Sequence, residues 1–237
     1  MSDDDRQAPL PKDALRQLSA RMAGGMIRIF ARLLTAVQAE WRGSEPLARK
    51  RIYYANHNSH GDFILIWSVL PIQARRHCRP VAGADYWDRG PLRRFIGRDV
   101  FNAVLIDRER RSNGADPIAT MAGALDRGDS LILFPEGTRN LTDQLLLPFR
   151  SGIYRLAAAR PEVELVPVWI ENLNRVLPKG EIVPVPIMCK VIFGAPMRPR
   201  ADEDRNAFLA RARAALLALQ GDAAGDTPAD ATTEQTS

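Results

Sequence analysis

Only three histidines and two cysteines occur in 237 residues, and their placement removes whole classes of chemistry. Cys78 and Cys189 lie far apart, so there is neither a disulfide framework nor a CxxC pair, as suits a reducing compartment. With so few ligands of this kind, no metal site is expected. No run of about 18 apolar residues exists, so no spanning helix is expected. The start, MSDDDRQAPLPKD, is acidic where an export signal is basic, so no signal peptide is expected either. The GxSxG elbow, Walker loop, GxGxxG turn and HExxH helix are missing, as are an RNP-like aromatic pattern and any DNA-reading motif. What remains is an ordinary globular composition, 46% hydrophobic and 26% charged, with a net charge of +5 that favours anionic partners such as phosphates, acidic lipid or nucleic acid without choosing among them.

Both ends are polar and short of large apolar residues, so residues 1–13 and 221–237 are expected to be disordered. Between them, residues 14–40 carry a helical period. Met22, Met26, Ile29, Phe30, Leu33 and Val37 share one broad face, with Arg21, Arg28 and Arg32 opposite. Gly24 and Gly25 weaken the middle and mark a candidate break. Such a segment either packs on the core or lies at a membrane interface, its arginines among anionic headgroups.

From residue 50 short apolar runs alternate with helical segments, the pattern of an α/β domain. Strands are expected at 51–55, 80–84, 102–107, 130–134, 164–170 and 187–194, and helices at 62–70, 90–96, 116–127, 151–160 and 203–220. The helix over 116–127 opens on Asp116-Pro117, a cap followed by proline at the first helical position. The most clearly amphipathic helix, RNAFLARARAALLALQ (205–220), should cover one face of the sheet.

Two of the three histidines fall in RIYYANHNSHGDF (51–63). A strand that ends in a polar turn and then opens a helix presents side chains at the sheet edge, where α/β sites sit. With His57 in the turn and Asp62 in the first helical turn, the carboxylate can fold back onto the imidazole, and the helix dipole favours its charge. That contact fixes one tautomer and leaves the other ring nitrogen as a base. His60, two residues from Asp62, is less easily arranged for it, so His57 is the favoured base. A capped turn with solvated histidines is the plain alternative. After the run SLILF comes FPEGTR (134–139). There Gly137 permits close backbone approach and Thr138 and Arg139 can bond phosphate oxygens. Arg108, behind the apolar NAVLID, would suit a phosphomonoester.

In this order and spacing the blocks resemble the glycerolipid acyltransferase family typified by bacterial 1-acylglycerol-3-phosphate acyltransferase. NHNSHGD (56–62) is similar to its NHxxxxD block, NAVLIDR (102–108) to its second, FPEGTR (134–139) to its third and Val166-Pro167-Val168 to its fourth. FRSG (149–152) also fits, and the resemblance spans about residues 47–200. Asn102-Ala103 departs from the glycine that many members carry, and neither His60 nor DYW (85–87) is assigned work by it.

The resemblance implies an O-acyltransferase of phospholipid biosynthesis. His57 and Asp62 are its catalytic pair; Arg108, Glu136, Gly137, Thr138 and Arg139 bind the acceptor. Acyl-CoA or acyl-ACP (acyl carrier protein) serves as co-substrate, with no metal and no other cofactor. The acceptor is a lysolipid of the lysophosphatidate kind; another lysophospholipid, an aminolipid or another alcohol is the alternative, as is a non-catalytic lipid-binding protein. Nucleic acid is not an expected partner. The implied layout is a membrane-docking helical segment over 14–46 and an acyltransferase domain over 47–220. Its expected fold is one α/β domain with a mixed, largely parallel central sheet flanked by helices. The expected location is peripheral, on the cytoplasmic side of the inner membrane at a surface with anionic lipid.

Overall fold

The computed structural model describes residues 12–107, 116–171 and 189–221. The strands, in chain order, are β1 (Gln38–Trp41), β2 (Arg51–Ala55), β3 (Cys78–Gly83), β4 (Val104–Ile106), β5 (Ser130–Leu133), β6 (Glu164–Glu171) and β7 (Lys190–Phe193). They form one seven-stranded sheet in the order β1-β7-β6-β2-β5-β3-β4. Every pairing is parallel except β6 with β7, which makes the sheet mixed and largely parallel. The helices are α1 (Lys12–Thr35), α2 (Asp62–Val69), α3 (Ile72–Arg75), α4 (Ala84–Trp87), α5 (Pro91–Arg94), α6 (Pro117–Asp126), α7 (Gly152–Ala159) and α8 (Arg205–Gly221), with a π-helical turn at Phe95–Val100.

The pleat sorts the core into two layers. Ile52 and Tyr54 of β2, with Leu131 and Leu165, meet α6, α7 and α8 on one face. Tyr53 and Ala55, with Ile132, Val166 and Val168, meet α2 on the other. Phe208, Ala212, Leu216 and Leu219 form the buried stripe by which α8 covers its face, as its periodicity predicts. The Asp116 side chain accepts from the Ile118 amide ahead of Pro117, so α6 starts as its cap predicts. α2 leaves β2 to one face and α7 precedes β6 on the other, so β2 and β5 flank the kind of switch point at whose carboxyl strand ends a crevice forms. Open α/β sheets bind ligands at such a point.

The N-terminal segment differs from expectation in three ways. The helix starts at Lys12, ahead of the boundary expected at residue 14, and runs unbroken through Gly24 and Gly25 to Thr35. Gly24 serves close packing: a Cβ there would stand 3.3 Å from Val100 Cγ1 and 3.6 Å from Trp67 Cη2. Nor is the 14–46 segment helical throughout. Ala36 turns the chain with φ 41°, Val37 is buried, and β1 joins the sheet beside β7, where Trp41 stacks on Phe193 at 4.0 Å. Most of residues 1–13 and 221–237 lies outside the described residues, as do Arg108, residues 172–181 and the start of the strand expected at 187–194. No helix among the described residues is long and apolar enough to cross a membrane.

Candidate active site

β2 stops at Ala55, and the next side chain continues its ladder. Asn56 donates from Nδ2 to the Ile170 carbonyl (3.0 Å) and accepts from the Ile170 amide at Oδ1 (2.8 Å). Buried at 2% exposure, it pins the strand end and releases His57 into the turn at the crevice.

His57 Nδ1 meets Asp62 Oδ2 at 2.9 Å. The same oxygen accepts from the amides of Asn58 (2.7 Å) and Ser59 (2.9 Å). The carboxylate therefore closes the turn and orients the ring at once, and Oδ1, buried, has no hydrogen-bond partner among the described residues. Helical spacing cannot bring positions five apart together; the turn before α2 does. The His57 ring lies flat on Phe134, centroids 4.1 Å apart and planes 15° apart. No described residue bonds Nε2.

The FPEGTR loop holds the backbone of that histidine from both sides. The His57 amide donates to Glu136 Oε1 (2.8 Å) and its carbonyl accepts from the Asn140 amide (2.6 Å). Glu136 Oε2 accepts from the Leu147 amide (2.9 Å). Glu136 is 2% exposed with both oxygens engaged by main chain, so it ties the base to the loop. Burial pushes its carboxyl up, and the amides of Leu147 and His57 pull it back.

Gly137 sits at φ 71°, in the region glycine favours, and a Cβ there would fall 2.6 Å from Arg150 Cδ and Nε. Arg150 itself donates to the Glu136 carbonyl from Nε (3.3 Å) and to the Pro135 carbonyl from its amide (2.8 Å), which gives FRSG its work behind the loop. Thr138 is exposed and Arg139 half-buried at the rim. Asn140 finishes the turn, accepting from the Thr142 amide (3.0 Å) and donating to the Gln144 carbonyl (2.6 Å). Val166-Pro167-Val168 lies inside β6, paired with Tyr53, Tyr54 and Ala55, so it supports the site from the sheet rather than lining it.

His57, Asp62, Glu136, Gly137, Thr138 and Arg139 thus converge on one edge, while Arg108 lies outside the described residues. Sequence reasoning gave no role to Asn56 or Asn140. Asn56 is the first residue of NHNSHGD (56–62) and Asn140 directly follows FPEGTR (134–139), and that placement was the available signal.

A family model described as Acyltransferase matches residues 38–171. A 1-acyl-sn-glycerol-3-phosphate acyltransferase of Limnanthes alba is 29% identical over 196 residues, covering 78% of this chain and 62% of the plant protein. A protein of the same name from Saccharomyces cerevisiae is 26% identical over 152 residues, covering 60% of this chain and 46% of the yeast protein. The chain thus spans about three fifths or less of the length of these relatives. Among solved structures, the 1-acyl-sn-glycerophosphate (LPA) acyltransferase PlsC of Thermotoga maritima shares the fold. Its TM-score is 0.64 at 19% identity, over 93% of this chain and 86% of the other.

Proposed function

The chain belongs to the acyltransferase family, and on that premise we propose that it moves a fatty acyl group from an acyl thioester to the hydroxyl of a lysophosphatidate-like glycerolipid. One observation carries the reading: His57 Nδ1 is held by Asp62 at 2.9 Å, in a ring that keeps 15% exposure and whose Nε2 has no described partner. With Nδ1–H given to the carboxylate, Nε2 keeps its lone pair. The acceptor oxygen attacks the thioester carbonyl carbon as its proton passes to Nε2. Collapse of the tetrahedral adduct breaks the C–S bond, and the imidazolium returns the proton to the departing sulfur. An ester and a free thiol result. Asp62 stabilises the imidazolium while it exists. General-base help supplies about 10²–10⁴-fold, and alignment of the two substrates supplies much of the rest.

Gly137, Thr138 and Arg139 face the acceptor's phosphate end, with Arg108 beside them as the resemblance implies. The names of the plant and yeast relatives support lysophosphatidate as acceptor. Release of thiol from acyl-CoA or acyl carrier protein is expected only when such an acceptor is supplied. A lysolipid panel that elicits no acceptor-dependent thiol from either donor sinks the reading.

An acceptor with an acyl chain is met at a bilayer, and α1 is built for that meeting. Ala20, Gly24 and Thr35 are its buried residues, small enough for close packing. Ile27 and Leu34 pack against the core, while Met22, Met26, Phe30 and Leu33 point outward, 63%, 69%, 66% and 77% exposed. Arg21, Arg28 and Arg32 flank them, where each basic group contributes about 1 kcal/mol at an anionic surface. The protein attaches peripherally through this face. Met26→Asp with Phe30→Asp is expected to lower binding to anionic vesicles about a hundredfold, from two large apolar side chains kept in water. These side chains touch solvent in the folded chain, so the fold survives. Sedimentation with washed membranes at low salt is the check, and an intact protein that stays in the supernatant refutes the attachment.

A further inference from the structure

His60 and DYW (85–87), which the family resemblance leaves without work, meet in the folded chain. The His60 ring stacks on Tyr86 with centroids 5.0 Å apart and planes 13° apart. The Arg93 guanidinium carbon lies 4.6 Å from the centroid of the same Tyr86 ring. Tyr86 is itself braced, edge to face with Trp87 at 5.4 Å. Trp87 in turn meets Phe63 at 6.0 Å and lies against Gly97, where a Cβ would come within 2.9 Å of its ring. Three chain segments, the turn after β2, α4 and α5, therefore build one wall beside His57.

The charges around His60 indicate what that wall is for. Partial desolvation under its neighbours comes first in favouring its neutral form, followed by the Arg139 cation; His57 and Arg93 act in the same direction, and only Asp62 opposes them. Asp62 already accepts three donors on one oxygen. Arg93 and Arg139 have no carboxylate partner among the described residues. The mouth of the site is thus a cationic field, with an exposed imidazole between a rim arginine and an arginine held on an aromatic ring. Guanidinium pairs of this kind suit phosphate oxygens.

We propose that His60, braced by Tyr86 and flanked by Arg93 and Arg139, is a specificity-determining residue that donates to the phosphomonoester of the acceptor. This rests on the acyl-transfer reading above. It places the acceptor's phosphate against this wall and its hydroxyl at His57 Nε2. A bound phosphate dianion reverses the field at His60, so the ring takes up a proton as the ligand binds.

His60→Phe keeps a ring on Tyr86 and removes both nitrogens. Thiol release is measured with lysophosphatidate and with monoacylglycerol, and with acyl-CoA and acyl-dephospho-CoA as donors. The preference for the phosphorylated acceptor, as a ratio of kcat/KM values, is expected to fall about tenfold or more, mainly through KM, the worth of one charge-assisted hydrogen bond. A ratio within about twofold of wild type overturns the proposal, as does a loss that follows the donor's 3′-phosphate instead. A second measurement needs neither turnover nor a variant. In the wild-type chain the protonation midpoint of His60, followed by NMR, is expected to rise on adding sn-glycerol 3-phosphate and to stay put with glycerol. No movement with the phosphate overturns the proposal even in an active enzyme. A wild type that turns over neither acceptor defeats the acyl-transfer reading, while the His60 titration still decides whether this wall takes a phosphomonoester.

Discussion

His57→Ala is expected to lower kcat for thiol release by about 10²–10⁴-fold, the range that a positioned general base supplies, while the chain stays folded. The argument for folding is specific. The bonds that fix residue 57 to the FPEGTR loop run from its amide to Glu136 and from the Asn140 amide to its carbonyl, and alanine keeps both. Asp62 loses one donor of three but still closes the turn on the amides of Asn58 and Ser59. The stack on Phe134 is lost from a ring that is already 15% exposed. KM should therefore move little, since the acceptor and donor contacts lie elsewhere. Steady-state thiol detection with saturating donor is the measurement. His57→Ala with activity within about threefold of wild type would sink the base assignment, for general-base loss costs far more. So would a His60→Ala variant that abolishes the chemical step while His57→Ala does not.

Six of the seven strands and the helices at 62–70, 116–127, 151–160 and 205–220 were legible, because each is either a buried apolar run or a full helical period. β1 was not. Four half-exposed residues at a sheet edge, Gln38–Trp41, carry no apolar run, and the helical period ahead of them overran Thr35. The same local reading misjudged Gly24, whose low helix propensity is outweighed by tertiary contact with Val100 and Trp67. α3 and α4 are single turns, below the length at which a period can be counted, whereas the helix expected at 90–96 is met by α5 and continues as the π-helical turn Phe95–Val100. The pairing of His57 with Asp62 was visible because it is local, requiring one turn and one cap. Glu136 was visible as a site residue but not as a tie. Its partners, the amides of His57 and Leu147, belong to segments that only the sheet brings together. The neighbours of His60 were hidden for the same reason: Tyr86 and Arg93 come from α4 and α5, beyond β3. Residue identity marked the site, while long-range main-chain contacts decided each residue's task within it.

Asp62→Asn separates the charge of the carboxylate from its geometry, and this fold makes the separation unusually clean. All three donors, His57 Nδ1 and the amides of Asn58 and Ser59, converge on Oδ2. An asparagine oxygen in that place accepts the same three. Its amide nitrogen falls where Oδ1 is already buried without a described partner, so the substitution strands no new group. The tautomer of His57 is kept, because the oxygen still takes the Nδ1–H. The charge opposite the imidazolium is what disappears. Two unit charges about 4 Å apart at an effective dielectric of about 20 interact by about 4 kcal/mol. Allowing for the part already felt in the ground state, kcat should fall about 10²–10³-fold. Neutral acceptors bond amides more weakly than charged ones, so stability should drop by about 1–2 kcal/mol. Asp62→Ala behaves differently, leaving two part-buried amides without their acceptor at about 1 kcal/mol or more each, so its thermal midpoint should fall further than that of the asparagine variant. Kinetics and thermal melts on the pair read both effects. An asparagine enzyme with wild-type kcat would show that the carboxylate only shapes the turn, and the imidazolium mechanism would have to be abandoned.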